Sequence, residues 1–452
     1  MEINNDAVQQ AGDVNLSVKL LYGRDKEFDL ITFIGELNLF EDIYAQGLYG
    51  NIVIIDALNL SQTLDLTGDE YVTIKLDTPS IQSPIHKTFK VYSITDKIMI
   101  NDTGKQSFIM HFCSPEVFVD ALSPVYKTFK KAKVHEHATK VFENNIAVNR
   151  VAGKQGYTSM IIADETANDI QFTSPGWRPG KILNWLASKA KSRSGKNPNY
   201  LFFESNKAFY FASIEKMISS IGNSTASSKP LVFENYYVAA SKWTQDASSN
   251  SGFIDDISRQ YQKVINMRVI ETYNALKNTQ NGYLANRLYT FDVVNKKRII
   301  YDYDHVFNWD SYNHLGKRPP FPLGSPESSG NLRAQAGFNQ VYMQHDQLYT
   351  GVKNNVGEQA GDTVTRRTSA MAELDNFKVE ITVPGRTDIE IGLVVYLHYP
   401  DASPKDNTDK HTKKDDSLYS GLYLISAIRH QVSLRSHVMI LELVRDALKE
   451  SR

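Results

Sequence analysis

From Asn15 the chain alternates. Leu16, Val18 and Leu20 are separated by Ser17 and Lys19, so an extended segment there has one apolar face and one wet face. Gly47-Leu48-Tyr49-Gly50 punctuates, and Asn51–Asp56 follows as a short apolar strand. After a turn at Gly68-Asp69-Glu70, Val72, Ile74 and Leu76 share a face, and Pro79 to Pro84 is a loop. Phe89–Ile94 and Ser107–Cys113 alternate in the same way, with Asn101-Asp102-Thr103-Gly104 supplying turn chemistry between them. Residues 1–13 are polar and loose, and 14–115 read as one small antiparallel β barrel or sandwich.

The period changes after Ser114-Pro115. Ala138, Val141 and Phe142 have helical spacing within His135–Asn144. Pro179 suits a first helical position, and Ile182, Leu183, Trp185, Leu186 and Ala190 form one face before Gly195 to Pro198 ends that helix. Tyr200–Glu204, a Ser205-Asn206-Lys207 turn and Ala208–Phe211 make an aromatic hairpin. The α+β region 116–229 ends in a Ser-rich boundary, Ser219–Ser228. Lys263–Ile270 and Leu288–Val293 are strand candidates, whereas Asn308–Thr363, with Pro319-Pro320, reads as an irregular excursion outside the core. A helix is expected over Arg366–Phe377, with Ala370, Met371, Leu374 and Phe377 in register. Then come Lys378–Val383, a Pro384-Gly385 turn, Leu393–Leu397, a charged loop Asp401–Asp416, Tyr423–Ile428 and Val438–Val444.

The end of the chain repeats the order of its beginning. Gly68, Val72–Leu76, a proline-containing loop, Phe89–Lys97 and Ser107–Cys113 correspond to Gly392, Val394–Leu397, a loop with Pro400 and Pro404, Leu422–His430 and His437–Leu443. Identity between the two is low, and two generic hairpin sets would give the same order. A true repeat would mean two copies of one β module flanking an α+β middle.

Composition narrows the function. The 452 residues carry 50 Lys+Arg against 51 Asp+Glu, a net charge of −1, which argues against broad sequestering of nucleic acid. No apolar run reaches the roughly 18–20 residues that span a bilayer, so no stable membrane association is expected. The N-terminus lacks the basic and apolar regions of a signal peptide, and a single cysteine, Cys113, excludes an intrachain disulfide or a Cys-based metal cluster. Assembly in a reducing cytoplasm is expected. The 24 Tyr and 21 Phe favour β structure.

The search for chemistry finds no catalytic constellation. His135-Glu136-His137-Ala138-Thr139 starts like a zincin helix but has Thr139 where a second ligand histidine belongs, so both histidines read as surface residues. Gly176–Lys181 has the wrong spacing for a phosphate loop, with Ile182 in place of Ser/Thr, and reads as a helix start. Cys113 lies inside an alternating strand, and no Gly-x-Ser-x-Gly elbow occurs. His398, His411, His430 and His437 have no ligand-like spacing. Lys296-Lys297-Arg298 and Lys413-Lys414 read as solvated turns. No catalytic residue, cofactor site or metal site is assigned.

With these elements in order, the chain resembles the baseplate hub subunit of contractile-tailed bacteriophages, the trimeric ring between tail tube and central spike. Asn15–Leu20 and Leu66–Cys113 look like that family's first tube-like domain, Ile182–Phe211 like its middle domain, and Val379–Arg445, with Pro384-Gly385, Gly392, Gly421-Leu422-Tyr423 and His430, like its closing tube-like domain. The resemblance implies a mainly β chain with an α+β middle. It has two tail-tube-like antiparallel β-barrel domains: 14–115, and 230–275 joined with 365–447. Between them lie the α+β domain 116–229 and an insertion, 276–364, packing with it; 448–452 is a tail.

The implied function is structural and not enzymatic: a homotrimer in the virion tail baseplate, assembled in the host cytoplasm, that joins a sixfold tube to a threefold spike. Implied partners are the central spike protein, the tail tube or its initiator, and surrounding wedge proteins, with DNA passing transiently through the lumen. The competing expectations are a tail-associated peptidoglycan hydrolase, which needs two carboxylates facing a cleft about 5–9 Å apart, and a carbohydrate-binding receptor module.

Overall fold

The computed structural model describes residues 10–447 except 24–25, 80, 82, 101–104, 148–158, 194–197, 221–231, 239–256, 293–295, 317–337, 343–356, 402–414 and 417. The Asn101–Gly104 turn, the Ser-rich stretch beyond Ser220, Pro319-Pro320, His411 and Lys413-Lys414 lie outside the described residues.

The five strands expected from the period-two pattern form, and two more, Lys26–Asp29 and Ile34–Asp42, join them. Strands β1 (Asn15–Tyr22), β2 (Lys26–Asp29), β3 (Ile34–Asp42), β4 (Tyr49–Asp56), β5 (Tyr71–Asp77), β6 (Ile85–Ile100) and β7 (Lys105–Cys113) lie side by side as β3-β4-β7-β6-β5-β1-β2, all antiparallel. Val18, Leu20, Ile52, Ile54, Val72, Ile74, Phe89 and Phe112 form the core beneath them. Phe112 fits because its cross-strand neighbour is Gly50, where a Cβ would lie 2.2 Å from the Phe112 ring.

The middle segment is α+β. Strands β8 (Val125–Lys133) and β10 (Asp169–Trp177) pair, and β9 (Met160–Ile162), β11 (Tyr200–Glu204) and β12 (Phe209–Ser213) form a second sheet. The helices Val134–Asn145 and Pro179–Lys189 pack between them through Ala138, Val141, Phe142, Ile182, Leu183 and Leu186. Pro179 opens the second helix as expected, and Asp120 Oδ1 accepts from Gly180 N at 2.5 Å, so Gly176–Lys181 is a helix start.

The third segment holds β13 (Val232–Tyr237), β14 (Asn266–Glu271), β15 (Ala285–Asp292), β16 (Lys297–Asp304), β17 (Phe338–Tyr342), β18 (Phe377–Pro384), β19 (Val394–His398), β20 (Gly421–Val432) and β21 (His437–Arg445). β15, β16 and β17 make a separate sheet, and Lys297-Arg298 belong to its strand β16, not to a solvated turn. The others join the first seven strands in one 13-stranded sheet.

The two ends of the chain repeat one strand order. Taken along the sequence, β1, β3, β4, β5, β6 and β7 correspond to β13, β14, β18, β19, β20 and β21, and both sets lie side by side as first, fourth, fifth, sixth, third, second. The registers agree in detail. Val91 faces Phe112 and, after a one-residue bulge, Ser93 faces His111; Ile425 faces Leu443 and, after the same bulge, Ala427 faces Glu442. Gly68 and Gly392 both take φ of +85°, a conformation that suits glycine, beside those bulges. The sets differ in one strand: β1 runs antiparallel to β5, but β13 runs parallel to β19. The second module is thus not wholly antiparallel, and among the described residues the strands follow an open path with no ladder closing a barrel.

Two further expectations change. The helix predicted over Arg366–Phe377 spans Gly357–Glu373, and Phe377 instead begins β18. The region from Asn308 is irregular but not outside the core, because Trp309, His314 and Leu315 are packed inside and β17 pairs with β15.

Candidate functional site: the seam of the repeat

The two modules meet where β20 pairs with β3, from Ala427 opposite Asp42 to Val432 opposite Leu37. Val432 reaches across and packs in the core of the first module. Along one face of this seam runs a polar ladder. Arg429 Nε donates to Asn38 Oδ1 at 2.9 Å, Gln431 Nε2 donates to Glu36 Oε2 at 3.0 Å, and Asn38 Nδ2 donates to Asn51 Oδ1 at 3.0 Å.

The other face is buried. Glu41 Oε1 lies 3.0 Å from His430 Nε2, and His430 Nδ1 lies 3.0 Å from His437 Nε2. Burial, and then the neighbouring His430, hold the His437 imidazole well below its ordinary pKa, so it is neutral. His437 packs beneath Gly385, where a Cβ would stand 2.1 Å from its ring. The Pro384-Gly385 turn is therefore fixed by what lies under it.

The middle segment plugs into this seam with the tip of its aromatic hairpin. Asn206 N donates to Glu41 Oε2 at 3.0 Å, Asn206 Nδ2 to the Ile389 carbonyl at 2.7 Å, and Ser205 Oγ to Glu390 Oε2 at 2.7 Å. On the other side Glu204 Oε1 pairs with Lys87 Nζ at 2.9 Å and Glu204 Oε2 accepts from Leu48 N at 3.1 Å. Three consecutive residues thus hold both modules. Such an arrangement fixes relative orientation.

The histidines singled out in the sequence are placed apart except at the seam. His137 is 2 % exposed, not a surface residue; its ring packs edge-on to Phe129 and Phe172 while Nε2 meets the Ile170 carbonyl at 3.0 Å. His135 bonds Thr166, and His398 stacks on Tyr237 beside Asp415. Cys113 is buried in β7, where burial and the nearby Glu204 and Glu116 push its thiol up to about 12, so it stays protonated and poorly nucleophilic.

Among the described residues, His314, Glu373 and Asp446 come within 4.8 Å of one another, a cluster no sequence spacing revealed. His314 Nδ1 faces Asp446 Oδ2 at 3.0 Å and Nε2 faces the Trp309 carbonyl at 2.9 Å, with the ring stacked on Trp309. Both neighbours are acceptors, so both ring nitrogens donate, leaving no lone pair for a metal. Burial alone would lower the His314 pKa, but the hydrogen bond and charge of Asp446, with Glu373, raise it to about 9. Asp446 Oδ1 also accepts from Leu315 N at 3.0 Å. The cluster is a charged clamp that ties residues near 314 to the end of β21.

No protein-family model matches this sequence, and no curated relative does. Solved structures do. A tail protein from Neisseria meningitidis MC58 is 13 % identical, with 95 % of this chain and 97 % of that one covered at a TM-score of 0.50. The 43 kDa tail protein of prophage MuSo2 from Shewanella oneidensis is 10 % identical, with 96 % and 100 % covered at 0.50. At such identities the likeness is one of fold: this chain has the mainly β fold seen in phage tail proteins, over nearly its whole length.

Proposed function

We propose that this chain is a structural protein of a phage tail, the subunit of a trimeric baseplate hub that joins a sixfold tail tube to a threefold central spike. The observation that carries this reading is the duplicated module: one chain presents the same six-strand order twice, in register down to a bulge. Three chains then offer six similar surfaces to a tube or tube initiator and three whole chains to a spike. Residues 14–115 form the first tube-like domain, and 230–275 with 365–447 the second. The 116–229 domain and the 276–364 insertion face the surrounding baseplate proteins. The ring lines part of the channel through which DNA passes, and the balanced net charge of −1 suits a lumen to which DNA does not stick. The hub works in the virion tail and is assembled in the host cytoplasm. Its role is mechanical, in keeping with a seam whose buried Glu41, His430 and Asn206 bond one another across the three parts of the chain.

Negative-stain microscopy of the purified chain, with mass from light scattering, tests the reading. A threefold ring is expected. A chain that stays monomeric at high concentration and is absent from assembled tail particles would overturn it.

A further inference from the structure

We infer that the chain binds one hard divalent cation of the calcium class in the small cavity between the root of the aromatic hairpin and the end of β21. Its oxygen donors are Asn199 Oδ1, Glu215 Oε2 and the carboxylates of Glu373 and Asp446.

The cavity is walled by distant parts of the chain. β11 and β12 pair from Tyr200 opposite Ser213, so the residues just outside them, Asn199 and Ile214, meet, and Ile214 N donates to the Asn199 carbonyl at 3.1 Å. That places Glu215, second in the helix Ile214–Ser220, beside Asn199 in the cavity wall. Glu373 ends the helix Gly357–Glu373, Asp446 follows β21, and His314 comes from the insertion. The cavity measures about 10 Å³, room for one water molecule or one bare ion.

The polar atoms left over in this wall are acceptors. Asn199 is only 3 % exposed, yet its Oδ1 has no hydrogen-bond partner, and neither has the buried Oε2 of Glu215. Such bare groups in the interior call for a donor or a cation.

Charge decides between the two. Glu215, Glu373 and Asp446 bring three negative charges against the imidazolium of His314. Even with His305, 3.3 Å from Glu373, charged as well, one negative charge is left over, and no described lysine or arginine lines the cavity. A water molecule would satisfy the two bare oxygens and leave that charge buried; a divalent cation answers both. Three carboxylates and an amide oxygen are donors that calcium takes, whereas transition metals favour imidazole and thiolate. His314 is not a ligand, because its two N–H groups point at Asp446 and the Trp309 carbonyl. Glu373 and Asp446 keep lone pairs beyond those the histidines use, since a carboxylate offers about four acceptor sites.

Calcium titration of the full chain, first stripped with chelator, tests this. Melting temperature should rise saturably with calcium chloride, and not with sodium chloride at equal ionic strength. Terbium chloride should show luminescence excited through Trp309, whose ring stacks on His314 at 3.6 Å, and calcium should displace it. Trp309→Phe should lose that emission and keep the calcium-induced rise. Glu215→Gln should weaken calcium binding at least about tenfold, the usual scale for losing a group that supports a metal. Glu165→Gln, in an exposed pair with Arg193, should leave it unchanged. Melting unmoved by calcium with no sensitised terbium emission would mean that the cavity holds water only, and would overturn the site. An equal calcium response in the parent and in Glu215→Gln would mean binding elsewhere on the surface, and would overturn it too. Should Glu215→Gln fail to fold, the parent and Trp309→Phe titrations decide.

Discussion

Nε2 of His430 lies 3.0 Å from Oε1 of Glu41, across the ladder of β20 and β3 that joins the two halves of the repeat. Both side chains are buried, at 0 % and 1 % exposure. Glu41 also receives the backbone N–H of Asn206 from the middle segment, so one carboxylate links all three parts of the chain. Removing it by Glu41→Ala leaves His430 and Asn206 N without their acceptor. The expected loss is about 1–3 kcal/mol, the usual cost of leaving a buried hydrogen-bonding group without its partner. Urea denaturation followed by tryptophan fluorescence measures it, and a loss below about 1 kcal/mol would show that the seam does not depend on this contact.

The repeat makes a packing prediction. Gly50 faces Phe112 in the first module, and the corresponding pair in the second is Val379 opposite Leu443. One module fills the same space with nothing plus a ring, the other with two branched aliphatic side chains. Gly50→Val alone should drive a side chain into the Phe112 ring and cost at least about 1–3 kcal/mol. Adding Phe112→Leu should recover much of that loss, since total volume is restored. A double-mutant cycle by urea midpoint tests it; purely additive effects would mean that the two positions are not packed equivalently.

The hairpin tip should behave as a plug. Glu204 is buried, and its two oxygens hold Lys87 and the amide of Leu48 in the first module. Glu204→Ala should destabilise by about 2–4 kcal/mol because Leu48 N loses a buried partner and Lys87 its counter-charge. Lys87→Ala should cost less, since its ammonium is partly solvated in either state. Hydrogen exchange is the sharper measurement. Protection of Leu48 should fall in the Glu204 variant and hold in the Lys87 variant.

How much of this was readable from the residues depends on which face each strand buries. β1, β5 and β7 each bury one apolar face, which period two reveals, whereas β11 and β12 are buried on both faces and are marked by their aromatic run and the Ser205-Asn206-Lys207 turn. β3 forms the seam yet carries no clear alternation, because its buried residues include Asn38 and Glu41, which read as solvent-facing until partners are known. β8 is concealed for a similar reason: Lys127, Lys130, Lys131 and Lys133 hide the two buried positions, Val125 and Phe129. The order of the repeat was legible from glycines and strand spacing. The direction of β13 was not, since neither propensity nor period distinguishes a parallel neighbour in so short a strand. The clamp of His314, Glu373 and Asp446 assembles from three distant segments, and only the folded chain brings them together.

The same clamp and the seam should give stability opposite pH dependences. In the native chain His314, faced by Asp446 and Glu373 with Glu215 nearby, titrates at about 9, against about 6.5 when unfolded. Between those values the native state binds the extra proton, so stability is fully present below about pH 6.5 and is lost as pH rises toward 9. His437 is the reverse. Its native pKa lies well below the unfolded value, so the unfolded chain binds the extra proton once pH drops under about 6.5, and stability falls on acidification. His314→Gln should therefore flatten the alkaline limb of the stability profile, and His437→Gln should flatten the acid limb relative to the parent chain. Urea midpoints from pH 5 to 9.5 give both. Parallel profiles for parent and His314→Gln above neutrality would show that the clamp holds no proton, and parallel acid limbs for His437→Gln would show that the seam histidine charges freely in the native state.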